Sequence, residues 1–94
     1  MNFEAFQESL SNKMPPTHLP VYLQALWYDA KHDWETAHNL VNDLDGEQAA
    51  WIHAYLHRKE GDPGNARYWY SRAGKPMPAV SLSEEWGLIV SALL

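Results

Sequence analysis

The sequence predicts an all-α protein of about six helices. Apolar residues recur at three- and four-residue spacing in six successive segments, the pattern of amphipathic helices. No stretch alternates apolar and polar residues for long enough to suggest a strand. The central part of the chain repeats itself, with Asp33, Ala37 and Val41 recurring as Asp62, Ala66 and Tyr70.

The expected elements follow in order. Residues 1–14 hold a short N-terminal helix, with Phe3, Phe6 and Leu10 on one face. Asn2 is placed to cap it, and Glu4 suits the positive end of the helix dipole. Met14-Pro15-Pro16-Thr17 ends it, because a residue before proline is driven out of the helical region. Residues 18–45 form a first helical hairpin. Its first helix is expected from His18 to Ala30, with Thr17 as cap and Pro20 in the first turn, where a missing N–H costs nothing. Asp33 caps the return helix, expected from Trp34 to Leu44, whose buried stripe is Ala37, Leu40, Val41 and Leu44.

Residues 47–74 form a second hairpin. Its first helix runs from Glu47 to Glu60. In Gly61-Asp62-Pro63-Gly64, Gly61 closes one helix in a left-handed conformation, Asp62 caps the next and Pro63 takes its first position. The return helix reaches Ala73, and Gly74-Lys75-Pro76-Met77-Pro78 leads out of it. Residues 81–94 hold a C-terminal helix from Leu82 to Leu93, opened by the capping box of Ser81 and Glu84.

Composition bounds the chemistry. A chain of 94 residues makes one domain, and surface scaling gives it about 5,500 Å² folded against roughly 16,000 Å² unfolded. There is no cysteine, which excludes disulfides, thiolate-held zinc, iron–sulfur clusters and thiol catalysis. No apolar run approaches the length of a membrane span, and Met1-Asn2-Phe3-Glu4 lacks the basic start of a signal peptide, so a cytoplasmic location is expected. The net charge of −5 argues against general nucleic-acid binding. Aromatic residues make up 13% of the chain, more than so small a core takes in, so some are expected at a binding surface.

The repeat has a physical reading. Ala25 with Ala37, and Ala54 with Ala66, are small residues where two helices approach closely. On Ala25, Tyr28, Asp33-Trp34 and Ala37, and then on Ala54, Gly61-Asp62, Ala66, Tyr70, Ala73 and Pro78, the chain resembles the tetratricopeptide and Sel1-like helical repeat families. The run from Asn65 to Gly74 is similar to the second helix of a Sel1-like unit. The chain also resembles a group of small bacterial proteins with an Ala-Trp-x-His-Ala-Tyr-Leu-His-Arg stretch, here Ala50 to Arg58. His32 stands where the first unit of such a repeat usually has glycine, and two units are fewer than a solenoid needs. The flanking helices are therefore expected to complete a closed domain.

That resemblance implies a concave face carrying Tyr22, Trp51, Tyr55 and Arg58. These are residue types that anchor interfaces, and Arg58 is suited to hold a partner's carboxylate. The leading expectation is thus a non-catalytic module of tetratricopeptide type that binds a protein or peptide. Terminal helices lying over the same face would make these residues core instead.

The competing expectation is a small-ligand or metal site. His53, His57 and Glu60 fall on one line of a helix that is otherwise apolar nearly all round, one turn placing the two imidazoles about 6 Å apart along the axis. Two such histidines form a metal clamp with Glu60 as third ligand, although Ala54 occupies the position where a zinc protease carries its glutamate. The alternative is a polar network of Gln24, Tyr28, His53 and His57. Segment 58–75 is basic in an acidic chain, and Arg67, Trp69 and Arg72 there are a weaker hint of nucleotide stacking. Trp86, Ile89, Val90 and Leu93 suggest a homodimer face. No phosphate loop, nucleophile elbow or carboxylate pair is present, and no cofactor is expected.

Overall fold

The computed structural model describes residues 1–94. It contains six helices and no strand: α1 (Phe3–Ser9), α2 (Val21–Ala30), α3 (Trp34–Val41), α4 (Glu47–Glu60), α5 (Pro63–Ala73) and α6 (Leu82–Leu93). The accessible surface is 5504 Å², the value expected of one closed domain of this mass. No helix is long and apolar enough to cross a membrane.

Capping explains most boundaries. Asn2, Asp33, Asp62 and Ser81 each accept a hydrogen bond from the backbone N–H three residues on, opening α1, α3, α5 and α6. Two boundaries differ from the sequence-based expectation. Helix α2 begins at Val21, because His18 takes a left-handed φ of 68° and Pro20 holds extended backbone at the cap position. Thr17 is therefore not its cap. Helix α3 stops at Val41, and the residues to Leu44 close in a turn with Leu44 N–H donating to the Val41 carbonyl.

The repeat is a duplication of backbone geometry at the two hairpin turns. His32 at φ 65° matches Gly61 at φ 88°. Asp33 (φ −113°, ψ 70°) matches Asp62 (φ −114°, ψ 77°). The Asp33 N–H donates to the Tyr28 carbonyl as Asp62 N–H does to His57. His32 thus adopts a conformation that glycine takes without strain. The four small residues, Ala25, Ala37, Ala54 and Ala66, are fully buried, as close helix approach requires.

The main core joins α1, α2, α4 and α6 through Phe6, Leu23, Leu26, Trp27, Ile52, Leu56, Ile89 and Val90. Ala54, Ala66 and Tyr70 make a smaller core between α4 and α5. Helix α4 is central, as its all-round apolar sequence requires. On the apolar face of α6, Ile89 and Val90 are fully buried in the chain's own core, and Trp86 packs on Phe3 and Phe6 with its indole N–H on the Leu26 carbonyl.

Candidate functional site

Helix α4 presents two polar faces. The first looks toward α2 and α6. Arg58 Nη1 donates to Glu85 Oε1 at 2.8 Å, and Nη2 donates to the Val80 carbonyl. Tyr70 Oη donates to the same carboxylate at 2.6 Å and 2.8 Å, and Trp51 Nε1 reaches it at 3.3 Å. Beside this, Tyr55 Oη and Lys59 Nζ both donate to Asp29, each at 2.9 Å. Glu85 is 2% exposed and Asp29 1%. Burial is the main reason, and the adjoining carboxylate the next, that the Tyr55 and Tyr70 phenols are pushed far above their ordinary range, so both stay donors.

The repeat-family resemblance implies a concave face of Tyr22, Trp51, Tyr55 and Arg58, open unless a terminal helix covers it. In the structure α6 lies there. The carboxylate held by Arg58 is the chain's own Glu85, Trp51 joins it, and Tyr55 is buried on Asp29. Tyr22 packs half-buried against the main core, apart from the Glu85 cluster.

The second face looks toward α3 and α5, and it carries imidazoles. Trp34 Nε1 donates to the Leu56 carbonyl at 2.7 Å and so ties α3 to α4. One turn further along α3, His38 stacks on Trp34 with the rings 8° from parallel and their centroids 4.8 Å apart. That stack aims His38 at α4, where its Nε2 lies 2.9 Å from His53 Nε2. His57 stacks on His53 at 4.9 Å, and from α5 Trp69 covers the other side of His53 at 4.0 Å. His38, His53 and His57 offer one nitrogen each, all within 4.8 Å of one another. Glu60 Oε2 sits 2.5 Å from His57 Nδ1.

His38 is the member that sequence reading missed. Its signal was present as Trp34 and His38 at the same four-residue spacing as His53 and His57, on the helix that packs before α4. Gln24 and Tyr28 do not join the imidazoles as expected. Gln24 donates to the Leu19 carbonyl, just ahead of its own helix, and Tyr28 meets Trp27 edge-on. Glu60 is held on His57 by a hydrogen bond to Nδ1.

The electrostatics favour neutral rings at His38 and His53. His53 is 4% exposed, and burial first, then His38 and His57, bring its pKa down to about 4. Burial and His57 also lower His38, against a smaller opposing pull from Glu60. A neutral imidazole keeps a lone pair for a metal, and a nitrogen set of this kind suits Zn²⁺, Cu²⁺, Ni²⁺ or Co²⁺ rather than Ca²⁺ or Mg²⁺. An ion about 2.05 Å from both His38 and His53 would subtend about 90° at the observed nitrogen separation, the cis angle of a square-planar or octahedral centre. A tetrahedral angle needs the two nitrogens to part by only about 0.4 Å. The Glu60 carboxylate on His57 Nδ1 is the outer-shell support that metal-binding histidines characteristically have. None of the four surface clefts is lined by His38, His53 or His57.

Arg72 on α5 lies over Tyr68 and Trp69, satisfying itself on the chain's own aromatics. No protein-family model, curated protein or solved structure matches the chain.

Proposed function

We propose that the protein binds a divalent transition metal between α3 and α4, with His38, His53 and His57 as ligands and Glu60 orienting His57. The convergence of three imidazole nitrogens within 4.8 Å, contributed by two helices, supports this reading most strongly. The ion joins the two hairpins, since His38 belongs to the first and His53 and His57 to the second. A metal that binds only the folded chain stabilises it by about 2.7 kcal/mol at a concentration one hundred times its Kd. In a domain of this size that raises Tm by roughly 10 °C or more. Thermal melts with Zn²⁺ and Ni²⁺, with elemental analysis of the purified protein, test the proposal. A Tm rise lost in His38→Ala and in His53→Ala is expected; no bound metal and no shift in the unsubstituted protein rejects it.

A second reading keeps the interaction module. The Arg58–Glu85 cluster favours it, because α6 displays what the Trp51 and Tyr55 face accepts: an amphipathic helix carrying an acid. A partner helix of that kind has to displace α6. Fluorescence polarisation of a labelled peptide of residues 79–94, titrated with the intact protein and with Glu85→Ala, checks this. Absence of binding to both removes the reading.

A further inference from the structure

One of the four surface clefts differs from the rest. It encloses about 280 Å³ where the ends of α1, α2 and α4 meet the start of α6. It is the only one that reaches buried polar side chains, those of Asp29 and Tyr55. Leu10, Leu82 and Trp86 form its walls. The Trp86 N–H is spent on the Leu26 carbonyl, so the indole adds no free donor to the wall. The polar floor follows from helix pitch. Tyr55 and Lys59 stand one turn apart on α4, so both reach Asp29 on α2. Asp29 is 1% exposed, and each of its oxygens already accepts a hydrogen bond. The Lys59 side chain is 32% exposed, and its ammonium spends one of its three donors on Asp29. The ion pair is thus a dipole with its positive end outward. An incoming anion meets Lys59 with Asp29 behind it, whereas a ligand ammonium would have to displace Lys59 from Asp29.

We infer that this cleft binds a small monocarboxylic acid with an apolar body, its carboxylate on Lys59 and its body against Leu10, Leu82 and Trp86. Apolar walls around a few convergent polar groups are the ordinary make-up of a small-molecule site. A carboxylate on an ammonium is a charge-assisted hydrogen bond, strongest where apolar surroundings keep water away. Ser83 adds a hydroxyl at the rim. The volume lies at the lower limit of ligand pockets, which run from about 300 Å³ upward, so a nucleotide or a long acyl chain does not fit inside. None of the imidazoles lines this cleft, and the inference is independent of the metal-binding reading.

Octanoate is the probe, titrated into the intact protein and followed by proton–nitrogen NMR at the Trp86 indole and the Ser83 amide. A saturable shift of both signals is expected, with octanol and octylammonium binding at least roughly tenfold more weakly, the loss that follows from removing a charge-assisted hydrogen bond. Lys59→Met keeps the stem, removes the ammonium and is expected to abolish the preference for octanoate over octanol, while Lys59→Arg retains it. Ser83→Asp leaves the Asp29–Lys59 pair intact and places an acid in the first turn of α6, where the helix dipole favours it. It is expected to weaken octanoate by roughly tenfold through repulsion at the rim. Lys75→Met removes the same charge at a different cleft and is expected to change nothing. No shift at Trp86 overturns the inference. So does octanol or octylammonium binding as tightly as octanoate, because Lys59 is then not the anchor, and so does an equal loss in Lys75→Met, because net charge alone is then being read.

Discussion

The two polar faces of α4 are built from similar materials and resolved differently. Toward α2 and α6, each cation meets an anion: Arg58 meets Glu85, Lys59 meets Asp29, and a tyrosine completes each pair. Those charges hold helices together. Toward α3 and α5, three imidazoles meet one another, with the Glu60 carboxylate on His57. No buried side-chain nitrogen or oxygen is left without a partner on either face, so the difference lies in how the groups are satisfied: by charge pairs on one side, and by ring-to-ring hydrogen bonding and stacking on the other. The metal-binding proposal rests on the second face.

The largest effect tests the closed face. Glu85→Ala leaves Arg58 and Tyr70 without their buried acceptor, and a loss of about 3–5 kcal/mol is expected in urea unfolding. A loss below about 1 kcal/mol would mean that α6 is loosely held and that the groove is open in solution. The next tests the imidazole face through protons. The unfolded chain protonates His53 near its ordinary pKa of 6.5, whereas the folded chain holds it neutral down to about 4. The unfolded state therefore binds more protons in that window. Stability is full above pH 6.5 and falls as pH drops toward 4, by up to about 3 kcal/mol. Urea titrations across that range check this, and His53→Gln should flatten the slope.

His38→Ala sharpens the comparison further. It removes a half-buried ring at a cost of about 1 kcal/mol, far below that of Glu85→Ala, while removing the whole metal-dependent rise in Tm. Paired thermal melts with and without Zn²⁺ make the measurement. Two further effects, opposite in sign, lie in the turns that precede α3 and α5. Gly61→Ala forces a side chain into left-handed backbone and should cost about 1–2 kcal/mol. His32→Gly relieves a similar strain but adds freedom to the unfolded chain, for a net gain of about 0.5–1 kcal/mol. Chemical denaturation of both variants gives the two signs directly.

Much of the architecture was legible in the residues because its signals are local. Asp33, Asp62 and Ser81 announce helix starts within three residues of themselves, and Gly61 and Gly74 announce ends through a conformation they take without strain. Two boundaries carried no such signal: the left-handed turn at His18 moves the start of α2 on to Val21, and α3 ends at Val41 with no glycine to mark it. The candidate site was half legible. His53, His57 and Glu60 share one helix, and a fixed pitch puts them on one line. Their third imidazole comes from another helix, and no periodicity within α4 points to it.

The sequence by itself determined which residues form helices, where the chain turns, and that two hairpins share one turn geometry, because each of these depends on backbone preferences and neighbours a few residues away. Only the tertiary structure decided that α6 lies over Trp51, Tyr55 and Arg58, and that His38 stands against His53. Those outcomes depend on which apolar faces pair to bury the most surface together. The Trp34 indole on the Leu56 carbonyl fixes one such pairing, and Glu85 within reach of Arg58 and Tyr70 fixes the other.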